Sequence, residues 1–220
     1  MKNDSKDVFI NYLNKFLSLY FIHYPKHYVS GLFPFYLEIK DILNFDVQCK
    51  YPRIDLRTFS KSDLFNLFQI DAALEAVFYY RLERSIFLRE PEHPLLPFLA
   101  NLMRMKSGIE FYYSTEVGPG LNIQHGVGVV VGPRCKIGKN FVIHQGVSIG
   151  QKNIHSPNDS VTIGDEVVVF SGAKIIGNLK IGDYAQIGAN AVVRDDVESH
   201  SVYVGIPAKK IRSNRDQIKS

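Results

Sequence analysis

Residues 161–196 read VTIGDEVVVFSGAKIIGNLKIGDYAQIGANAVVRDD, and an aliphatic side chain recurs at every sixth position of this stretch. A second series with the same spacing precedes it, but its positions are not continuous with the first. This earlier series is preceded by Val117 and Ile123, which are also six residues apart. A repeat of fixed period indicates an array of small structural units, because each unit buries its apolar side chain against its neighbours. The recurring positions are Ile163, Val169, Ile175, Ile181, Ile187 and Val193, and before them Val131, Ile137, Ile143 and Ile149.

A period of six residues has a direct structural meaning. One inward aliphatic side chain per repeat predicts one short strand and one corner, so three repeats complete a triangular coil of about 18 residues. Successive coils then stack at the ordinary strand spacing of about 4.8 Å. The glycine or small residue that usually follows the aliphatic position suits a corner. β-Hairpins would show a two-residue alternation between turn signals, which is absent, and the pattern therefore predicts a parallel β-helix.

The first hundred residues have a different pattern, with apolar residues at helical spacing. Residues 71–87 and 95–105 are the clearest helices, and residues 8–22 and 29–43 predict two more. Residues 49–62 are polar, contain a proline and are interpreted as a connection. We therefore expect an α+β chain, with a helical N-terminal domain at 1–107 for packing and assembly, a β-helix at 108–205 and a C-terminal tail at 206–220.

Composition excludes several classes of protein. The formal charge of +4 is spread along the chain without a basic run, so a nucleic-acid partner is not expected. Cys49 and Cys135 lie far apart, which indicates neither a disulfide framework nor a zinc site, and we expect no metal. The chain shows no signal peptide, and we expect a cytoplasmic protein. Residues 8–24 are apolar but do not predict a membrane span, because four polar residues interrupt them: Asn11, Asn14, Lys15 and His23.

One histidine stands out within the repeats. His125 is followed by Gly126 and Gly128, so its imidazole is predicted to be accessible at a corner. Glu110 precedes it by nearly one coil of about 18 residues and is predicted to lie almost beneath it, one rung down. The carboxylate would hydrogen-bond one ring nitrogen and leave the other as a general base. The alternative is a surface histidine without a catalytic role.

The order of several segments resembles the serine acetyltransferase branch of the hexapeptide-repeat acyltransferases, without gaps from residue 108 to 211. These segments are GIEFYYSTEVGPGLNIQHGVGVVVG (108–132), VIHQGVSIG (142–150), SGAKIIGNLKIGDYAQIGANAVV (171–193) and VGIPAKKI (204–211). The resemblance implies a left-handed parallel β-helix that transfers acetyl from acetyl-CoA to a hydroxyl without a metal. It also implies a homotrimer, which in some members pairs through the helical domain.

The resemblance also assigns roles to individual residues. His125 falls on the catalytic histidine of the family, and Glu110 replaces its partner aspartate with a carboxylate one methylene longer. Coenzyme A contacts fall on small or polar residues, which could equally be simple corner residues. Lysines near them are candidates for the coenzyme A phosphates, with ordinary solvated lysines as the alternative. The cofactor-binding candidates are Gln145, Gly150, Ser171, Gly172, Ala189, Lys209 and Lys210, with Lys174 as a further phosphate candidate.

Three departures from the family concern the acceptor. Gln124 stands where serine acetyltransferases carry Asp, and Asp159 and Ser160 stand where they carry Arg and His. The Arg-Asp-Pro-Ala segment of the helical domain is also missing. Because Asp159 would repel a carboxylate, we expect another acceptor, a sugar hydroxyl of a capsular or other surface polysaccharide or its precursor. The predicted substrate contacts are Gln124, His144, Asn153 and His155.

The expected mechanism is direct transfer in a ternary complex. His125 removes the acceptor's proton during attack on the thioester, and backbone N–H groups near Gly150 stabilise the oxyanion. Three alternatives stay open. They are serine O-acetylation in cysteine biosynthesis, N-acetylation of an amino sugar, and a non-catalytic solenoid that only scaffolds partners.

Overall fold

The computed structural model describes residues 2–153 and 159–214. Its N-terminal part is helical, and the four predicted helices are confirmed. A fifth helix begins inside the segment that we interpreted as a connection. Its start has a sequence signal, because Ser60 and Asp63 form a capping box in which each side chain accepts the other's backbone N–H. The helices are α1 (Lys2–Tyr20), α2 (Phe33–Lys50), α3 (Lys61–Ile70), α4 (Ala72–Arg89) and α5 (Leu96–Ser107), with a 3₁₀ helix at Lys26–Leu32.

The rest of the described chain is the predicted parallel β-helix, whose short strands fall into three sheets. Sheet A contains β1 (Glu110–Phe111), β4 (Val130–Val131), β7 (Ser148–Gly150), β10 (Lys174–Ile176) and β13 (Val192–Val193). Sheet B contains β2 (Glu116–Val117), β5 (Lys136–Ile137), β8 (Val161–Ile163) and β11 (Leu179–Ile181). Sheet C contains β3 (Asn122–Gln124), β6 (Val142–His144), β9 (Val168–Val169), β12 (Gln186–Ile187), β14 (Ser201–Val204) and β15 (Lys209–Ser213).

The repeat positions form the core of the solenoid. In sheet C, Ile143 pairs with Ile123 on one side and with Val169 on the other, and all three side chains are buried. The residues before and after each of them point outward, because successive side chains of a strand point to opposite faces. β15 lies within the segment that we described as a tail, and it pairs antiparallel with β14.

The coils differ in length, and the differences locate two irregular corners. In sheet A, the steps from Val130 to Ser148 and from Lys174 to Val192 each span three repeats, as the six-residue period predicts. The step from Glu110 to Val130 is slightly longer, and its extension falls at the corner that contains His125. The step from Ser148 to Lys174 is the longest, and its extension is the loop between β7 and β8.

A buried ion pair joins the helical part to the first coil. Arg81 of α4 donates to both carboxylate oxygens of Asp46 in α2, at 2.8 and 3.1 Å. The guanidinium also donates to the carbonyls of Val117 and Gly118, at 2.6 and 2.7 Å. Asp46 accepts the N–H groups of Gly120 and of the residue after it, at 2.8 and 2.9 Å. The pair therefore fixes α2 and α4 to the corner that follows β2.

Glu83 of α4 predicts a pH-dependent stability. Its side chain is fully buried, neither carboxylate oxygen has a hydrogen-bond partner among the described residues, and burial raises its pKa well above the ordinary 4.5. The folded chain therefore holds a proton that the unfolded chain releases, so the contribution of Glu83 to stability is greatest below about pH 4.5 and falls as the pH rises toward the folded pKa. Urea unfolding of the wild type and Glu83→Gln between pH 5 and 8 is the measurement. The wild type is expected to lose stability relative to the variant as the pH rises, and a constant difference would contradict the prediction.

No helix within residues 2–153 and 159–214 is long and apolar enough to cross a membrane.

Candidate active site

His125 lies at the extended corner between sheet C and sheet A. Its backbone adopts the left-handed conformation (φ 62°), and its side chain is exposed. A left-handed residue turns the chain sharply after β3, and L-residues adopt this conformation only rarely. Gly126 follows with φ 82°, and a Cβ at this position would lie 2.5 Å from the side chain of Ile109. The corner is thus packed on the residue that precedes β1, and the imidazole faces solvent.

The corners of successive coils stack on this histidine corner through backbone hydrogen bonds. The N–H of Gly146 donates to Val127, and the N–H of Gly172 donates to Gln145, both at 2.9 Å. The N–H of Asn190 donates to Ser171 at 2.9 Å, which adds the next coil. We call this line of corners the His125 edge. It brings together His125, Gln145, Ser171, Gly172 and Ala189.

The predicted phosphate-binding lysines lie at different places along the His125 edge. Lys209 pairs with Val204 at the end of β14, one strand beyond β12, so it lies at the end of the edge that is remote from His125. Lys210 is next to it and forms an ion pair with Glu198 at 2.6 Å. Lys174 lies between these extremes and donates to the Gly146 carbonyl at 2.5 Å. The edge thus joins an imidazole at one end to Lys209 at the other, whereas the ammonium group of Lys210 is bound to Glu198.

Gly150 is not part of the His125 edge. It ends β7 at the opposite side of sheet A, and its carbonyl accepts the N–H of Gly177 at 3.0 Å. Within one chain, the length of strand β7 therefore separates Gly150 from the His125 edge.

His144 is a titratable neighbour of His125 on the next coil. It pairs in register with Gln124, and its ring stacks on Phe170 at a centroid distance of 5.3 Å. Burial lowers the pKa of His144, and positive charge on His125 lowers it further. Gln124 itself donates to the side chain of Asn122 at 2.7 Å. We did not predict a role for Phe170. The available signal was its type, since an aromatic residue stands here directly after the aliphatic position, whereas glycine follows Ile163, Ile181 and Ile187.

The predicted position of Glu110 beneath His125 is wrong. Glu110 pairs in register with Val130, because a coil of three repeats would already place it beneath residue 128, and the two additional residues of the histidine corner shift the register by two more. Its carboxylate Oε2 lies 3.3 Å from Nη1 of Arg104 in α5, and no hydrogen bond joins it to His125 in the described chain. The histidine corner is nevertheless adjacent, since the N–H of Glu110 donates to Val129 at 2.9 Å.

The loop between β7 and β8 contains the remaining acceptor candidates. Asn153 donates its backbone N–H to Oδ2 of Asp159 at 3.3 Å, so the two sides of the loop are joined at its base. Asp159 and Ser160 are half-buried. His155 lies outside the described residues.

This arrangement supports acid–base chemistry. An exposed imidazole at a corner can accept a proton from a bound hydroxyl, and the small residues of the His125 edge let an extended ligand approach the backbone. Within the described residues, no three His, Cys, Asp or Glu side chains are grouped as a metal site would require.

Comparisons with known proteins agree with this chemistry. Residues 160–195 match the bacterial transferase hexapeptide (six repeats) family. The chain is 34% identical to a serine acetyltransferase of Staphylococcus xylosus over 147 residues, which are 67% of this chain and 68% of the relative. The structure resembles Neisseria gonorrhoeae serine acetyltransferase with a TM-score of 0.78 and 26% identity, over 96% of this chain and 80% of that one. Its fold also resembles a Brucella abortus serine acetyltransferase solved in complex with coenzyme A (TM-score 0.76, 22% identity, 94% and 82% coverage).

Proposed function

Since this chain belongs to the serine acetyltransferase family and is an acetyl-CoA-dependent O-acetyltransferase, we propose that it acetylates the hydroxyl of L-serine. The relatives described above are named for serine, and none is named for a carbohydrate acceptor. They therefore favour the serine alternative over the polysaccharide acceptor that the residue departures predict.

The observation that carries the proposal is the His125 edge. It aligns an exposed imidazole, four corner residues suited to an extended ligand, and Lys209 along one side of the solenoid. Acetyl-CoA is an extended co-substrate with a reactive thioester at one end and phosphates at the other. We place its thioester next to His125 and its phosphates toward Lys209. The corners between them contribute backbone groups, since their side chains are small or polar.

The proposed reaction is a single direct transfer. His125 accepts the proton of the serine hydroxyl while the hydroxyl oxygen forms a bond to the acetyl carbonyl carbon. The carbon–sulfur bond then breaks, and the departing thiolate takes the proton back from the imidazolium. The products are O-acetylserine and coenzyme A, and the enzyme returns to its starting protonation state.

Glu110 is proposed to support the imidazolium from its neighbouring position. Its carboxylate is bound to Arg104 in this structure, and it lies next to the histidine corner through the backbone contact with Val129. A negative charge near His125 favours the protonated ring that forms during transfer.

The family also leads us to propose a homotrimer. The exposed apolar residues beside the His125 edge support it, since Val127, Val130 and Phe170 are 69%, 40% and 37% exposed in a single chain. Packing of a second solenoid against these residues would bury them and would form one wall of the acetyl-CoA groove. Pairing of two trimers through the helical domain remains a prediction of the resemblance alone.

A second candidate acceptor has specific support. Gln124 and Ser160 are neutral, and Asp159 is negative, at the positions where the family carries its amino-acid contacts. A neutral polyol would not require a cation there, so a sugar hydroxyl is the second candidate.

An acceptor panel distinguishes the two candidates. Release of the coenzyme A thiol is measured with L-serine, neutral oligosaccharides and an amino sugar, each with acetyl-CoA. We expect L-serine to give the highest kcat/KM. Turnover with the oligosaccharides and none with L-serine would reverse the assignment. The absence of turnover with every acceptor would contradict both candidates.

A further inference from the structure

A cavity of about 320 Å³ lies between α5 and the first coil, and Glu110 of β1 forms part of its lining. Its walls combine aromatic surface with polar groups of opposite charge. The side chains that matter for its chemistry are those of Asn101, Arg104, Glu110, Tyr112 and Tyr113.

The polar groups of this cavity form a short chain. Arg104 Nη1 lies 3.3 Å from Glu110 Oε2, and Arg104 Nη2 donates to Oδ1 of Asn101 at 3.1 Å. A guanidinium has five N–H donors, so these two contacts leave three without a partner in the described chain. The side chains of Arg104 and Glu110 are 55% and 36% exposed, so solvent weakens the ion pair. A ligand carboxylate could therefore replace Glu110 as the partner of Arg104 at small cost.

The cavity adjoins the proposed general base through the backbone. Gly128, at the end of the histidine corner, donates its N–H to Gly108 at 2.9 Å, and Glu110 donates its N–H to Val129 at 2.9 Å. Glu110 thus contacts the cavity with its side chain and the histidine corner with its backbone. An acceptor bound in the cavity would contact Glu110, whose backbone is hydrogen-bonded to the histidine corner.

The carboxylate of an amino-acid acceptor requires a cationic side chain near the site, and one residue meets this requirement. The loop after β7 offers Asp159, which repels a carboxylate. Lys174 faces outward from sheet A but lies three strands away from Glu110, and its Nζ is already bound to the carbonyl of Gly146 and to Ser148. Arg104 is the cation that lines the cavity, and its planar fork matches a carboxylate in two parallel hydrogen bonds.

We propose that Arg104 is a specificity-determining residue that binds the carboxylate of the acceptor in this cavity, in exchange for Glu110. The inference rests on L-serine as the acceptor. In the occupied site, Arg104 pairs with the acceptor carboxylate, and the charge of Glu110 becomes available to the acceptor ammonium group or to the imidazolium of His125. The cation required for an amino acid therefore comes from α5, and the loop after β7 does not supply it.

The test compares L-serine with L-serinamide, which retains the hydroxyl and the ammonium group but lacks the carboxylate. For Arg104→Gln we expect the KM for L-serine to rise about 10- to 100-fold, because a charge-assisted hydrogen bond is lost. The KM for L-serinamide and the kcat for L-serine are expected to stay within about twofold. Arg104→Lys keeps the charge but loses the fork, and it should give an intermediate KM for L-serine.

Arg89→Gln is the matched control, because Arg89 is an exposed arginine that forms an ion pair with Glu38 at 2.7 Å. It should leave both KM values unchanged. Equal effects of Arg104→Gln on L-serine and L-serinamide, or no effect on either, would overturn the role of Arg104 while the proposed function stands. A wild-type enzyme that fails to acetylate L-serine would refute the proposed function, and this inference with it.

Discussion

His125→Asn is expected to lower kcat about 10²- to 10⁴-fold, the range that loss of a general base typically produces. Asparagine is chosen because it tolerates the left-handed backbone of this corner (φ 62°), whereas alanine would add strain. The imidazole is exposed and packs little, so the fold should not change. Because the interaction is made in the transition state, kcat and kcat/KM for the acceptor should fall together. Thiol release in a steady-state assay measures both.

The control for this variant is His23→Asn, since His23 is an exposed histidine after α1 and far along the chain from the repeats. It should retain wild-type kcat. Binding of acetyl-CoA to His125→Asn, measured by calorimetry, should also be retained, because the cofactor contacts come from the other corners of the edge. A kcat within fivefold of the wild type would show that another group accepts the proton. His144 would then be the first residue to test, because it pairs in register with Gln124 and its lowered pKa keeps it neutral.

Arg81→Met is expected to destabilise the protein by about 3–5 kcal/mol, as loss of one partner from a buried ion pair usually does. Arg81 and Asp46 are 4% and 0% exposed, so the remaining carboxylate would be buried without its cation. Burial already raises the pKa of Asp46, against the opposing effect of Arg81 and two backbone N–H groups. The substitution also leaves the carbonyls of Val117 and Gly118 without the guanidinium. The thermal midpoint should fall by on the order of 10 °C.

The matched control is Arg57→Met, because Arg57 forms an ion pair with Asp55 but its side chain is 90% exposed. This variant should unfold at the wild-type midpoint, since solvent screens such a pair. Scanning calorimetry and urea unfolding measure both variants. Equal midpoints for the two variants would mean that the buried pair does not fix the helical part to the first coil. A double replacement of Asp46 and Arg81 by apolar residues should recover only part of the loss, because the backbone groups that both side chains satisfy remain buried.

Most of the fold was predictable because its signal is local. The six-residue period needs only neighbouring repeats, and each aliphatic residue occupies the same inward position in its coil. Helices α1, α2, α4 and α5 carry the corresponding signal at helical spacing. α3 was missed because its polar first turn resembles a connection, although the Ser60–Asp63 capping box marks its start. The antiparallel pairing of β15 was missed as well, since an isolated exposed strand has no inward position to mark it.

The candidate site was predictable in part. His125 and the small corner residues were identified, but their alignment on one edge depends on how the coils stack. Gly150 was predicted with these residues but lies at the other end of its strand. The strand is only three residues long, so a few positions in the sequence lead from one corner of the coil to the next. Arg104, whose role is proposed above, and Phe170 were not named from the sequence. α5 carries only a helical pattern, and Phe170 follows an aliphatic position without changing the six-residue period.

The sequence by itself determined the helical N-terminal part, the parallel β-helix and the histidine at a corner. Each follows from a pattern among neighbouring residues, which does not depend on how distant parts of the chain pack. Only the tertiary structure decided that Glu110 pairs with Arg104 and that the corners form one edge. Every inserted residue shifts the register of a coil, so the two additional residues at the histidine corner moved the register partner of Glu110 from residue 128 to Val130. The side-chain partners of Glu110 then follow from the helix that packs beside the first coil, which no spacing in the sequence specifies.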